Sequence, residues 1–213
     1  SWARDVYKRQ GIDFTSCTML PTLADGTPLC SQKKWSNNPH SWVKLWKHHA
    51  AQSEANDINR IGLKHSEEFI TAYGGKYSSE WFFSKLLETV REAPKVYAAA
   101  ERFIEAGDWL VWQLTGLEKR CLSAAGFKAM RVSRTKNKRG WTYPSKSFFK
   151  SLNPRLTNVI SDKMESEIIS LGSNAGGLTE KMAKLTGLLP GTPVAAANID
   201  AHAAVPALSL IHI

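Results

Sequence analysis

Asp200 is the residue best placed to do chemistry, because it directly follows a short apolar run. Residues 192–199 spell TPVAAANI, which is typical of a buried strand, and Asp200-Ala201-His202-Ala203 comes next. In open α/β sheets, ligands bind beyond the carboxyl ends of strands. A carboxylate there could accept a proton from a substrate hydroxyl. The alternative is structural, since this aspartate could instead be the N-cap of a helix, bonded to Ala203 and its neighbours.

Lys128 lies in the segment AAGFKAM and opens the most basic stretch of the chain. It could direct a positive charge at ligand oxygens, or it could be an ordinary exposed lysine. The stretch comprises Lys128, Arg131, Arg134, Lys136, Lys138 and Arg139. Trp141 and Tyr143 follow it, as a nucleic-acid surface would require. The interspersed serine, asparagine and glycine favour a solvated polar loop, so we do not expect nucleic acid as a partner.

Trp46, His48 and His49 form a third cluster, which the pattern places on a helix that begins after Ser41. Adjacent histidines point to different faces of a helix, so they do not form an i, i+4 metal-binding pair. Trp46 could be a core residue or the wall of a ligand site. We therefore expect no metal site in this cluster.

Glycine pairs and cysteines exclude several other kinds of site. Gly74-Gly75 and Gly176-Gly177 fit neither G-x-x-x-x-G-K-[ST] nor G-x-G-x-x-G, and we interpret both pairs as turns. The three cysteines lack C-x-x-C spacing, which argues against a disulfide framework or a zinc site. A reducing compartment fits this composition, so we expect a cytoplasmic protein. No apolar run approaches the ~20 residues of a membrane span.

Strands and amphipathic helices alternate along the chain, which predicts an α/β fold. Residues 11–30 predict two short strands around a turn at Asp25-Gly26. A helix is expected from Ser78 or Ser79 to just before Pro94, and a longer one over about 97–115, ended by Gly116. Thr179 and Gly187 predict the start and the stop of a helix over about 179–186.

Both ends of the chain match one short DNA sequence translated in opposite directions. The tail LSLIHI can be back-translated so that its reverse complement encodes DVYKRQ, which is residues 5–10. That DNA resembles a transposase-type sequencing adapter. We therefore expect 1–10 and 208–213 to be adapter-derived and exclude them from the functional interpretation. The formal net charge of +9 favours anionic partners, such as phosphorylated ligands, without identifying one.

Several segments resemble the FGGY carbohydrate kinases. DWLVWQLTG (108–116) and GGLTEKMAKLTGLLPGTPVAAANIDAHAA (176–204) are similar to two segments of that family. GIDFTSCTMLP, NPHSWVKLWKHHAAQ, GGKYSSEWFFSKLLE and AAGFKAM resemble its ribulose-phosphorylating members rather than its xylulose or glycerol kinases. These segments occur in the expected order across nearly all of 11–207.

The resemblance implies a fold and a domain organisation. It implies an actin-like, ribonuclease H-like ATPase fold of two domains. Residues 11–195 would be part of the N-terminal, sugar-binding domain, truncated in this chain, and 196–207 would begin the junction to the next domain. The first phosphate loop of the family would precede residue 11, and its second loop and adenosine site would follow residue 207. The chain alone is therefore expected to be inactive.

The resemblance also implies functional roles by position. Asp200 matches the catalytic base, which takes the proton of the ketose 5-hydroxyl. Ser16, Trp46 and Lys128 match residues that bind the sugar, and ATP with Mg²⁺ would be the phosphate donor and its metal. Ribulose or a related ketopentose would be the partner, with a homodimer possible for the full-length enzyme. Two departures are Ala196-Ala197-Asn198, where the family more often has Val-Gly-Asn, and a longer 133–143 segment.

Overall fold

The computed structural model describes residues 9–133 and 140–210, and the side chains as far as residue 205. Arg134 to Arg139 of the basic stretch, and residues 1–8 and 211–213 of the predicted adapter ends, lie outside the described residues. Helices are α1 Gln52–Lys64, α2 Glu68–Ala72, α3 Phe82–Glu92, α4 Pro94–Ala99, α5 Ala106–Thr115, α6 Leu122–Phe127, α7 Lys146–Leu152, α8 Val159–Lys163, α9 Glu180–Thr186 and α10 Asp200–Leu210. Strands are β1 Asp13–Phe14, β2 Met19–Thr22, β3 Arg102–Glu105, β4 Lys119–Cys121, β5 Val132–Ser133, β6 Trp141–Thr142, β7 Glu167–Ile169, β8 Asn174–Gly177, β9 Pro193–Ala195 and β10 Asn198–Ile199.

The chain divides into two compact units, which are described separately. The strand-rich unit takes in the described parts of 1–16, 105–124 and 166–213, and the helix-rich unit takes in those of 17–104 and 125–165. The predicted boundary between residues 195 and 196 stays a prediction.

Parallel pairing organises the strand-rich unit. β1 pairs with β10 in parallel, with Asp13 opposite Asn198 and Phe14 opposite Ile199. β4 and β7 are also parallel, whereas β8 and β9 are antiparallel. Helix α5 packs on these strands with a small apolar core that includes Val111, Val194 and Ala197. Parallel strands joined through helices are the arrangement that the α/β prediction requires.

An aromatic core holds the helix-rich unit together. The fully buried rings include Phe69, Tyr77, Phe82, Phe83, Phe103, Phe148 and Phe149. Many of them meet edge to face, as do Phe69 and Phe148 at 5.3 Å between ring centroids. Such pairs stabilise a fold by about 0.5–1.5 kcal/mol each beyond simple burial. α1, α3 and α7 supply much of this core.

Local sequence signals predicted some elements correctly. α3 begins at Phe82, after the predicted serines, and ends at Glu92, just before Pro94. α9 has Thr179 as its N-cap, whose hydroxyl accepts a hydrogen bond from the Met182 amide, and Gly187 follows it with φ +72°. The turn at Asp25-Gly26 is present between β2 and an isolated bridge that joins Thr22 to Pro28.

Three predictions were wrong. The helix expected over 97–115 is α4, then β3, then α5, because the adjacent apolar residues Phe103 and Ile104 lie in a strand that pairs with β2. The helix expected after Ser41 does not form, because Lys44 instead pairs with Met19 in an antiparallel bridge. Gly176 and Gly177 belong to β8 rather than to a turn, whereas Gly74 and Gly75 do form a turn.

Candidate functional site

Asp200 lies at the edge where two parallel strands of the strand-rich unit end. β10 ends at Ile199, directly before Asp200, and its partner β1 ends at Phe14, which pairs with Ile199. Because the strands are parallel, Asp200 and the Thr15-Ser16 segment leave the pair at the same edge. The Asp200 side chain is exposed, and its Oδ1 accepts a hydrogen bond from the Ala201 amide at 2.8 Å. The second carboxylate oxygen can therefore serve a ligand.

The structural alternative for Asp200 was an N-cap bonded to Ala203. Asp200 is the first residue of α10, and the hydrogen bond that it accepts comes from Ala201 instead. The carboxylate thus sits at a helix N-terminus, where the helix dipole favours a negative charge. On α10, the His202 Nδ1 atom lies 3.1 Å from the Ser123 hydroxyl within the same unit.

Gly107 of α5 allows the helix to approach the strands that carry the site. A Cβ atom at Gly107 would lie 3.1 Å from the Phe14 Cβ and 3.2 Å from the Ala197 Cβ. Ala197 is one of the positions where the chain departs from its family pattern. Its methyl group occupies space against α5, so Gly107 is needed for this close packing.

Buried Asp108, next to Gly107, fixes α5 to β4. Its Oδ1 accepts a hydrogen bond from the Cys121 amide at 2.9 Å, and 4% of the residue is exposed. Burial raises the pKa of Asp108 to about 7, although the Cys121 amide and the nearby Arg120 oppose that shift. The role of Asp108 is structural, because its carboxyl group is enclosed.

Trp46 belongs to the helix-rich unit and is 49% exposed. It lies in a turn rather than on the predicted helix, and neighbouring Trp42 and Leu45 are also exposed. An exposed tryptophan is available to a ligand, which favours the ligand-wall interpretation over the core one.

Two charged residues of α3 hold the segment around Trp46. The fully buried Lys85 ammonium donates to the Leu45 carbonyl at 3.0 Å and also to the Cys17 carbonyl. Glu88 accepts from the Lys44 ammonium at 2.5 Å and lies 2.8 Å from the His48 Nε2. Burial alone would raise the pKa of Glu88, but its hydrogen bonds to Lys44 and His48 outweigh burial and lower it.

Sequence reasoning missed both of these residues. Lys85 and Glu88 lie three positions apart in α3, between the apolar residues Phe83, Leu86, Leu87 and Val90, and this is the signal that could have found them. The carbonyls that Lys85 binds belong to Leu45, which precedes Trp46, and to Cys17, which follows Ser16. Cys17 has φ +66°, a costly conformation for a residue with a side chain.

Lys128 follows α6 in the helix-rich unit and is half-buried. Its Nζ lies 4.9 Å from the Phe127 ring centroid and 5.9 Å from that of Trp81. Among the described residues, no carboxylate forms a salt bridge with this ammonium. A cation beside aromatic faces, without a carboxylate partner in the described part of the chain, is suited to binding hydroxyl oxygens.

The predicted site residues therefore fall into two groups. The structure brings Asp200 and Ser16 to one strand edge of the strand-rich unit, whereas Trp46 and Lys128 belong to the helix-rich unit. Ser16 is only 7% exposed. β5 and β6 form an antiparallel pair on either side of the basic 134–139 segment.

Relatives of known function match most of the chain. Ribulokinase from Bacillus licheniformis aligns with 94% of this chain and is 51% identical to it over 200 residues. The chain is homologous to part of the ribulokinases. Ribulokinase from Shouchella clausii is 50% identical over 201 residues, again 94% of this chain. The chain spans about a third of the length of these ribulokinases, 35% in both cases. No protein-family model matches the chain.

A solved sugar kinase shares the fold. The xylulose kinase from Bifidobacterium adolescentis superposes with a TM-score of 0.65 at 11% identity, covering 89% of this chain and 41% of the kinase. This likeness confirms the predicted actin-like ATPase fold, and the ribulokinase homologues confirm the resemblance to the FGGY sugar kinases.

Proposed function

We propose that the chain is part of an ATP-dependent ribulokinase and supplies the general base and the sugar-binding residues of its active site. The observation that carries this proposal is the parallel pairing of β1 with β10, which puts Asp200 and the Ser16 segment at one strand edge. Homology to ribulokinases over 94% of the chain supports ribulose as the substrate.

Asp200 would act on the 5-hydroxyl of ribulose. Its free carboxylate oxygen accepts the hydroxyl proton while the hydroxyl oxygen attacks the γ-phosphorus of ATP. The new oxygen–phosphorus bond forms as the bond from the γ-phosphorus to its bridging oxygen breaks, and ADP leaves with that electron pair. Phosphoryl transfer has a loose transition state, so orientation of the two substrates contributes most of the catalysis.

Ser16, Trp46 and Lys128 would bind and orient the sugar. Trp46 offers an apolar ring face to the carbon side of the sugar, and Lys128 donates hydrogen bonds to hydroxyl oxygens. Lys85 and Glu88 of α3 hold the segment around Trp46, as their contacts with Leu45, Lys44 and His48 indicate.

ATP with Mg²⁺ is the phosphate donor implied by the ribulokinase relatives. Within the described ranges, no group of three or more His, Cys, Asp or Glu residues could hold a metal ion. Mg²⁺ in kinases is usually held by one or two carboxylates together with the phosphates of the nucleotide, and no step of the proposal passes through the metal. The described helices include none long and apolar enough to cross a membrane. Because the donor is ATP, we propose a cytoplasmic location for the protein. Formation of a homodimer by the full-length enzyme stays a prediction.

A hybrid enzyme tests the proposal. Residues 11–207 replace the matching segment of the Bacillus licheniformis ribulokinase, and ATP consumption is measured with ribulose, xylulose and ribitol. We expect ribulose to be phosphorylated with the highest kcat/KM. A hybrid that folds, as judged by its circular dichroism and melting, but consumes no ATP with ribulose would contradict the proposal. Ribulose binding without ATP consumption would indicate a non-catalytic sugar-binding relative.

A further inference from the structure

Two tyrosine hydroxyls hold the backbone on both sides of Lys128. The Tyr73 hydroxyl donates to the Gly126 carbonyl at 2.9 Å and accepts from the Met130 amide at 2.8 Å. The Tyr77 hydroxyl donates to the Lys128 carbonyl at 2.6 Å and accepts from the Phe83 amide at 3.1 Å. Each hydroxyl thus donates one hydrogen bond and accepts another, and together they bind the 126–130 segment at three points.

The segment needs this support because its backbone is strained. Met130 has φ +60°, in the left-handed region that costs a residue with a side chain roughly 1–2 kcal/mol. The Met130 amide is also one of the groups bound by Tyr73. Strained backbone of this kind persists where surrounding contacts fix it, and it is common at functional sites.

The same tyrosines fix the ring beside the Lys128 ammonium. Trp81 packs edge-on against Tyr73 at 5.1 Å and against Tyr77 at 4.9 Å between ring centroids. The Lys128 Nζ lies 5.9 Å from the Trp81 ring centroid. Tyr77 is fully buried, so its ring and hydroxyl have a single well-packed position.

Protonation of the Tyr73 phenol is secured by its surroundings. Burial raises the pKa of Tyr73 well above its usual range, against the opposing hydrogen bond from Met130. The hydroxyl therefore remains a donor to Gly126 at any pH at which the protein is used.

We propose that Tyr73 and Tyr77 are positioning residues that set the place of the Lys128 ammonium beside Trp81, where it meets hydroxyl oxygens of the sugar. The part concerning the sugar rests on the proposed function. The part concerning the ammonium does not, because the hydrogen bonds and ring contacts lie within the helix-rich unit alone.

The first test follows the ammonium directly in the 213-residue chain. Lysines are dimethylated with ¹³C-formaldehyde and a borohydride reductant, and the Lys128 signal is assigned by its loss in Lys128→Arg. We expect this signal to be shifted upfield by the neighbouring rings of Phe127 and Trp81, and the shift to become smaller in Trp81→Leu. Tyr77→Phe and Tyr73→Phe each remove one hydroxyl, and both should return the Lys128 signal toward the position of exposed lysines.

Tyr97→Phe is the matched control for these variants. The Tyr97 hydroxyl is also largely enclosed and donates to the Arg155 carbonyl at 3.0 Å, elsewhere in the helix-rich unit. The Lys128 signal should be unchanged in this variant. An unchanged signal in both Tyr73→Phe and Tyr77→Phe, or an equal loss in Tyr97→Phe, overturns the proposal.

The second test measures the consequence for the sugar in the hybrid enzyme. Tyr77→Phe should raise the KM for ribulose about tenfold, the size expected for one lost hydrogen bond, and leave the KM for ATP unchanged. A general loss of structure would instead lower kcat with both KM values unchanged, and that result counts against positioning. If the unsubstituted hybrid does not phosphorylate ribulose, the proposed function fails, and the lysine signal still decides the role of the tyrosines.

Discussion

Asp108 should make the stability of the chain depend on pH with a sign opposite to that of most aspartates. Its pKa is raised by burial from 3.8 to about 7 in the folded protein. Between these values the folded state binds the proton more tightly than the unfolded state does. The contribution of Asp108 to the free energy of unfolding therefore falls as pH rises from about 4 to 7. Above that range this contribution is constant.

The size of this effect follows from the shift. A change of about three pKa units at ~1.4 kcal/mol each corresponds to about 4 kcal/mol. Asp108→Asn removes the titration and keeps an oxygen that can accept the Cys121 amide hydrogen bond. The unsubstituted chain should lose this stability as pH rises, whereas the variant should not. The free energy of unfolding of the variant minus that of the unsubstituted chain should therefore increase by about 4 kcal/mol between pH 4 and pH 8.

Urea unfolding followed by circular dichroism at pH 4, 5, 6, 7 and 8 measures this difference. Asp57→Asn is the control, because hydrogen bonds from Arg60 and then Arg91 lower the pKa of Asp57. Asp57 is therefore ionised in both the folded and the unfolded state over most of this range, and its variant should show a nearly constant difference. If the difference in unfolding free energy is also constant with pH for Asp108→Asn, burial does not raise the pKa of Asp108 and the prediction is refuted.

Two further predictions concern packing and are measured by urea unfolding at pH 7. Glu88→Gln leaves the buried ammonium of Lys44 without its carboxylate and should cost about 3–5 kcal/mol, whereas Glu80→Gln in an exposed pair should change stability by less than about 1 kcal/mol. Gly177→Ala places a Cβ atom 2.8 Å from a backbone carbon and should cost about 1–3 kcal/mol, whereas Gly187→Asn, in open space with φ +72°, should cost only about 0.5 kcal/mol. Equal effects within either pair would contradict the packing described.

Elements that carry their own start and stop signals could be predicted from the sequence. Thr179 and Gly187 delimit α9 because a hydroxyl cap and a left-handed glycine act within a few residues. Phe103 and Ile104 were assigned to a helix because they continue the helical spacing of Gly107, Leu110 and Val111. Two adjacent apolar residues fit a buried strand equally well. Their pairing with β2 is a long-range contact that local periodicity does not contain.

The candidate site could be predicted only in part for the same reason. Asp200 follows an apolar strand, and that local signal predicted its place at a strand edge, with a helix cap as the alternative role. Its role as the general base stays a prediction. The segment around Trp46 is instead held by Lys85 and Glu88, about 40 residues further along the chain. The helix expected after Ser41 does not form because the contacts of Lys85 and Glu88, together with the pairing of Lys44 with Met19, determine the backbone there.

Turnover by Asp200→Asn in the hybrid enzyme tests the central claim most directly. If Asp200 is the general base, kcat for ribulose should fall by about 10²–10⁴-fold, while the KM for ribulose changes little. Asp162→Asn, on an exposed face of α8, is the matched control and should retain full activity. A hybrid that carries Asp200→Asn and still turns over ribulose at nearly the unsubstituted rate would contradict the account.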